Sequence, residues 1–310
     1  SFSSPPANLG GKRASVRELC LRKGWRSDED LKRDLERCPT LDPVAGSPKA
    51  VCILLAGLGD SIMRNGHLAD ILACKGFSAH GFDYPGWGMS QKQAGLGSEC
   101  IPGLVYDWGK QICGEVIHFT NLLKKAYPPE TKFFVCAASI GGATALRSCI
   151  TNPDMFDGAV LLCPAIQSDV QPFLQAIAPI LGRIFPRLYI GGLGDDDIGS
   201  RNLVGAWEIL HDKGKSNVPL LAATGAAIID HLRFLKNNLH NMKVPFLAMH
   251  GERDLIIDPA GTKLLMEKAS SSDKSVRWYE EAWHDLLFEP EWEDIIGGTV
   301  QWMEARLGGG

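Results

Sequence analysis

Several kinds of stretch are missing from this 310-residue chain. No apolar run reaches the ~18 residues needed to span a bilayer, and residues 1–13, SFSSPPANLGGKR, lack the hydrophobic segment of a secretory signal. A soluble, cytoplasmic protein is expected. The sequence begins without methionine, which leaves a removed targeting segment open. Nine cysteines are present, yet none forms a C-x-x-C pair or joins a Cys/His group at metal-ligand spacing. Cys52, Cys136 and Cys163 sit inside apolar runs and read as buried, reduced thiols. A strong charge imbalance is missing too: the formal net charge is −4, and no basic run or aromatic–basic interleaving is strong enough to overturn it, so nucleic acid is not an expected partner. Gly86 and Gly88 form a G-x-G with no third glycine to complete a dinucleotide fingerprint. Three aspartates at 195 to 197 lack the alternating ligand spacing of a calcium loop and read as a solvated loop. Neither a metal nor a cofactor is expected.

What is present suits a large core. With 45% hydrophobic and 22% charged residues, the chain can form one large α/β domain. Residues 1–48 read as an N-terminal extension, Ser/Pro/Gly-rich at first; residues 14–38 suit either a helix or a strand, and Ser27 followed by three acids caps a short helix ended by Pro39. Residues 49–56, KAVCILLA, form a continuous apolar run of the kind buried on both faces of a parallel sheet. The glycine-rich turn Gly57-Leu58-Gly59 follows it directly. A helix over 66–75, a strand over 77–82, a helix over 106–127 with apolar residues at Ile112, Val116, Phe119, Leu122 and Leu123, and strands at 133–136 and 159–163 continue the alternation. Residues 165–240 break it. Their apolar stretch VQPFLQAIAPILGRIFPRLYI, interrupted by Pro172, Pro179 and Pro186, reads with helices around Trp207 and over 220–239 as an inserted helical cap. Phe173, Ile177, Ile180, Leu181, Ile184 and Phe185 exceed what a plain surface helix needs, which points to a lid over a pocket or a patch touching membrane. A strand at 244–249, a helix at 259–269, a strand at 276–279 and an amphipathic segment over 292–307 complete a core of residues 49–164 and 241–307.

Residues 133–146, FFVCAASIGGATAL, join a strand to a helix through a sharp small-residue turn centred on Ser139. Alone, A-x-S-x-G reads equally as a helix cap or as a nucleophile on a strained corner. Partners decide between these. Asp254 and His284 also stand in loops just past predicted strands, and the order Ser, Asp, His is that of the α/β-hydrolase fold. A serine hydroxyl needs an imidazole to take its proton, and the imidazole needs a carboxylate to fix its tautomer. His284 starts from an ordinary pKa of ~6.5. Backbone N–H groups of Leu58 and Ile140 are the expected donors to an oxyanion. Rivals exist. Asp258 precedes Pro259 and suits a helix cap, Asp285 adjoins His284, His250 suits a supporting role, and Ser148 lies further along the helix.

The motifs D-x-x-G-x-G-x-S at Asp83 to Ser90, the Ser139 elbow with Gly141 and Gly142, VPFLAMHGERD ending at Asp254, and LLMEKASSSDKSVRWYEEAWHDLLFEPE resemble the monoacylglycerol lipase family, with its lysophospholipase-like and caffeoylshikimate esterase relatives. The resemblance spans residues 49–302. It implies an α/β-hydrolase in which Ser139, Asp254 and His284 form a triad, Leu58 and Ile140 an oxyanion hole, and residues 165–189 (among them Phe173, Ile177, Ile180, Leu181 and Ile184) a hydrophobic lid for an acyl chain. Two departures stand out: Ala56-Gly57 where the family carries His-Gly, and Ala137 where it carries the first glycine of the elbow. Nor do the first residues match the family's leading hairpin.

The resulting expectation is a serine hydrolase cleaving monoacylglycerols or lysolipids through an acyl-serine, its partners being a small lipid or ester substrate and, through the apolar cap, a membrane surface. Rival readings are a carboxylesterase on small or aromatic esters, a thioesterase or acyltransferase sharing the acyl-enzyme, and a non-catalytic binding module.

Overall fold

A parallel strand covered by helices on both faces buries every side chain rather than alternate ones, so unbroken apolar runs become strands. The computed structural model describes residues 47–88, 90, 101–167, 171–191, 199–202, 218 and 220–308. In chain order come β1 (Val51–Leu55), α1 (Gly66–Cys74), β2 (Ser78–Gly81), α2 (Trp108–Ala126), β3 (Phe133–Ala138), α3 (Ile140–Thr151) and β4 (Gly158–Leu162). There follow α4 (Pro172–Ile184), β5 (Tyr189–Gly191), β6 (Leu220–Leu221), α5 (Ala222–Asn238), β7 (Phe246–Gly251), α6 (Ala260–Lys268), β8 (Lys274–Tyr279) and α7 (Trp292–Glu304). The reading of residues 14–38, the helix capped by Ser27, the aspartates at 195 to 197 and the helix around Trp207 lie outside the described residues.

Six strands form one sheet in the order β2-β1-β3-β4-β7-β8, and every neighbouring pair is parallel. All six C-terminal strand ends therefore share one edge, and the loops leaving β1, β3, β4, β7 and β8 converge there. Register keeps those ends level, with Leu55 opposite Ala137 and Ala137 opposite Leu161. Helices α2, α3 and α5 bury their apolar faces on one side of the sheet, and α1 and α7 on the other. The five apolar residues expected to face inward from α2 are all buried. The helix starts two residues later than its periodicity predicts because the Asp107 carboxylate accepts the Lys110 N–H at 3.0 Å and caps it.

Between β4 and β7 the prolines act differently from expectation. Pro172 occupies the first turn of α4, where its missing N–H costs nothing, Pro179 lies inside the helix, and Pro186 follows its end. The antiparallel pair β5–β6 was not legible as strands. Helix α5 packs on α2 and α3 and carries α4 on its other side. Gly182 permits that close crossing, since a Cβ there would stand 2.9 Å from the Ala222 carbonyl. Cys52, Cys113, Cys136, Cys149 and Cys163 are buried free thiols, and Cys74 is an exposed one.

Candidate active site

Ser139 stands where β3 turns into α3, with φ 55° and ψ −124°. Among the described non-glycine residues only Ser139 and Cys163 have positive φ, a conformation that costs an ordinary side chain free energy and is kept where the surroundings enforce it. Small neighbours permit the corner. A Cβ on Gly141 would lie 2.5 Å from the Ala56 carbonyl oxygen, and one on Gly142 would lie 2.8 Å from Pro164 Cβ. Ala137 is 1% exposed, in a core cluster that also holds Ala143 and Ala165, so its methyl group is accommodated where a glycine was expected. Ser139 makes no side-chain capping bond to α3. The helix-cap reading of this serine therefore fails.

The loop after β7 turns Asp254 back over the sheet edge. Asp254 Oδ1 accepts the N–H groups of Ile256 and Ile257 at 2.8 and 2.9 Å, which holds the carboxylate in place. Its Oδ2 accepts the Nδ1–H of His284 at 2.7 Å, leaving His284 Nε2 available as a base. His250 closes on the same oxygen at 3.2 Å through Nε2, while the Thr262 hydroxyl at 2.7 Å engages its Nδ1. Burial by itself would raise the Asp254 carboxyl; hydrogen bonds from His250 and His284 and the charge of His284 overcome that and hold it well below the usual carboxylate range. For His284 burial favours the neutral ring, but the bond to Asp254, its charge, and the charges of Asp285 and Asp60 raise the imidazole above its ordinary value.

Ser139 and His284 line one cavity of about 290 Å³, together with Leu58 and Ile140. Among the described residues neither Leu58 N–H nor Ile140 N–H donates to a backbone carbonyl; Ile140 opens α3, where such donors are free. The rest of the wall is apolar (Leu162, Ile228, Leu232, Ile256 and Ile257) except at one end, where Asp60, Arg64, Asn65 and Asp285 gather. Arg64 makes a short ion pair with Asp60 and reaches Asp285 at 3.5 Å. Burial pushes the Asp60 carboxyl up from its ordinary value against the lowering pull of Arg64.

This polar end was missed in the sequence. Its signal was an acid and an arginine four residues apart directly after the Gly57-Leu58-Gly59 turn. The loop bearing them is braced by Asp83, whose carboxylate accepts the Ile62 N–H at 2.7 Å and the Ser61 hydroxyl at 3.3 Å. That gives the D-x-x-G-x-G-x-S motif a structural task.

The expected lid residues lie elsewhere. Phe173, Ile177, Ile180 and Ile184 are exposed, Leu181 is half-buried, and none lines the cavity. The reason is layering: α5 lies against the core and contributes Ile228 and Leu232 to the wall, while α4 packs on α5. Among the rivals, Asp258 accepts the Ala260 N–H at the start of α6, Ser148 donates to Thr144 O inside α3, and His250 supports Asp254. Cys163, Asp254 and His284 offer possible metal-ligand atoms within 4.8 Å of one another. Burial, then the nearby Asp254 charge, pushes the Cys163 thiol far above its ordinary range, and the carboxylate is already committed to His284. These residues fit a hydrogen-bonded acid and base better than a metal centre.

No helix among the described residues is long and apolar enough to cross a membrane. The human protein named monoglyceride lipase is 27% identical over 266 residues, covering 84% of each chain. Monoacylglycerol lipase of Mycolicibacterium smegmatis is 25% identical, over 84% of this chain and 90% of that one. The crystal structure of Paleococcus ferrophilus monoacylglycerol lipase matches with a TM-score of 0.73 and 26% identity, over 84% and 96% of the two chains. Residues 46–291 match the family described as serine aminopeptidase, S33. An α/β-hydrolase by fold, the chain belongs by that match to the serine aminopeptidase S33 family.

Proposed function

We propose that the chain is a serine hydrolase that cleaves monoacylglycerols through an acyl-serine intermediate. The observation that carries this is the Asp254–His284 hydrogen bond behind a cavity whose wall also holds Ser139 at positive φ. Ser139 Oγ attacks the ester carbonyl as His284 Nε2 takes its proton. Asp254 keeps that proton acceptor in the right tautomer and stabilises the imidazolium. The carbonyl oxygen gains charge as it becomes tetrahedral, and the N–H groups of Leu58 and Ile140 receive it. His284 then returns the proton to the departing alcohol. Water attacks the acyl-serine by the same route in reverse, so no metal or cofactor takes part.

The lining divides the substrate. Leu162, Ile228, Leu232, Ile256 and Ile257 offer an apolar bed for an acyl chain, while Asp60, Arg64 and Asn65 suit a hydroxylated alcohol. Helix α5 acts as a cap on this cavity, with α4 packed on α5. Outside it, Phe173, Leu174, Ile180, Ile184, Phe185 and Tyr189 expose an apolar face of α4 and its continuation, suited to resting on a lipid surface from which the substrate is drawn.

The test is turnover on a series of monoacylglycerols beside short nitrophenyl esters, with fluorophosphonate labelling. Labelling lost in Ser139→Ala and a preference for medium or long acylglycerols are expected. A maximum at acetate or butyrate overturns the lipid substrate, and undiminished labelling of Ser139→Ala overturns the mechanism.

A further inference from the structure

Residues 199–202 lie in the segment between β4 and β7, far in sequence from the loop that carries His284, yet they are bound to it along its length. Asp285 N–H donates to Gly199 O at 2.7 Å, and the Ser200 hydroxyl donates to Phe288 O at 3.0 Å. Arg201 donates to Glu289 through its backbone N–H at 2.8 Å and its Nε at 2.7 Å, and through Nη2 to Glu291 at 2.5 and 2.7 Å. Glu289 is fully buried. A carboxylate in that position is tolerated only when paired, so the Arg201 fork is a condition of the loop's conformation.

We infer that residues 199–202 are a latch on the His284 loop, and that Gly199 and Arg201 are positioning residues holding Asp285 beside the imidazole. The inference rests on the reading of His284 as the catalytic base. Gly199 matters because a side chain there would overlap the Asp285 carboxylate. Held in place, Asp285 faces Arg64 at 3.5 Å and adds negative charge near His284. The other titratable or charged groups around that ring are Asp254 and His250 from β7 and its loop, Asp60 and Arg64 from the loop after β1, and Cys163 at the end of β4. Of the nearby carboxylates, Asp285 is the one whose backbone the latch holds.

The experiment is the pH profile of kcat/KM on a soluble nitrophenyl ester, with melting temperatures alongside. In Gly199→Ala the group that must yield is the end of a flexible side chain, so the fold persists while the carboxylate moves. With less negative charge nearby, the imidazolium loses its proton at lower pH. The acid limb therefore shifts to lower pH and the plateau falls roughly threefold to tenfold. Asp285→Asn gives the same shift, and the double variant adds little more. Arg201→Met lowers the plateau further and Arg201→Lys restores part of it. Acid limbs of Gly199→Ala and Asp285→Asn that coincide with the parent's, at unchanged melting temperature, overturn the latch. Should the parent itself lack ester turnover, the reading of His284 as base falls instead. The NMR titration of the His284 ring then tests the latch directly: an unshifted titration in both variants refutes it.

Discussion

Replacing Asp254 by Asn changes one atom of the site and keeps its shape. The amide oxygen still accepts the N–H groups of Ile256 and Ile257, now bonded at 2.8 and 2.9 Å, so the loop and the fold persist. The amide NH2 then faces His284 Nδ1, where the carboxylate accepted a proton at 2.7 Å. An NH2 can only donate, so Nδ1 becomes the acceptor and the proton moves to Nε2, the atom that must be free to act as base. The charge is lost as well. At an effective dielectric near 20, an anion ~3 Å from a developing imidazolium is worth about 5 kcal/mol, or about four powers of ten in rate. That charge exists on the ring only after proton transfer, so the loss falls on kcat, with KM little changed. Steady-state hydrolysis of a soluble ester and the rate of fluorophosphonate labelling measure it, with the melting temperature as control. Asp258→Asn, at the start of α6, should leave both rates near the parent's. A loss smaller than about tenfold in a folded Asp254→Asn protein would refute the reasoning, because the geometry then serves something other than the base.

Four further outcomes follow from the same geometry. Because His284 is held above its ordinary value, kcat/KM should fall as pH drops through that raised range. As for stability, the raised imidazole contributes below its unfolded value and loses this as pH rises through its folded one, while the depressed Asp254 contributes above the unfolded carboxylate range and loses this as pH falls toward its folded value; melting curves of parent and Asp254→Asn across pH read both. Gly141→Ala would place a methyl 2.5 Å from a backbone carbonyl that cannot yield cheaply, and should destabilise the fold by several times the ~1 kcal/mol expected of Ala137→Gly within a strand; denaturant midpoints compare them. Replacing Phe173, Ile180 and Ile184, exposed by 62%, 61% and 61%, with serine should weaken sedimentation with phospholipid vesicles while leaving turnover of a soluble ester near the parent's. Equal vesicle binding would remove the membrane role.

The central strands were legible because each is buried on both faces, so four or more consecutive apolar residues announce it without knowledge of its neighbours. The order Ser139, Asp254, His284 was legible for a related reason: parallel strands bring every following loop to one edge, and sequence order at strand ends becomes proximity. What stayed hidden depends on non-local facts. Strands β5 and β6 have three and two residues, too few for any period, and exist by pairing with each other. An amphipathic α4 reveals that it has an apolar face, but only the packing of α5 against the core determines that this face lies away from the cavity. Asp60 and Arg64 drew no reading at all, because only the path of the loop after β1 brings them to the cavity wall that His284 shares.

A left-handed backbone at Ser139 has a consequence for how this residue is maintained. Glycine adopts φ 55° without the side-chain penalty, worth about 1 kcal/mol or more, so Ser139→Gly should yield an inert protein that melts higher than the active one. At this position folding alone would favour losing the side chain. Its presence is therefore a running cost borne against thermodynamic drift, and a lineage released from the need for the chemistry should shed the serine well before it sheds the fold around it.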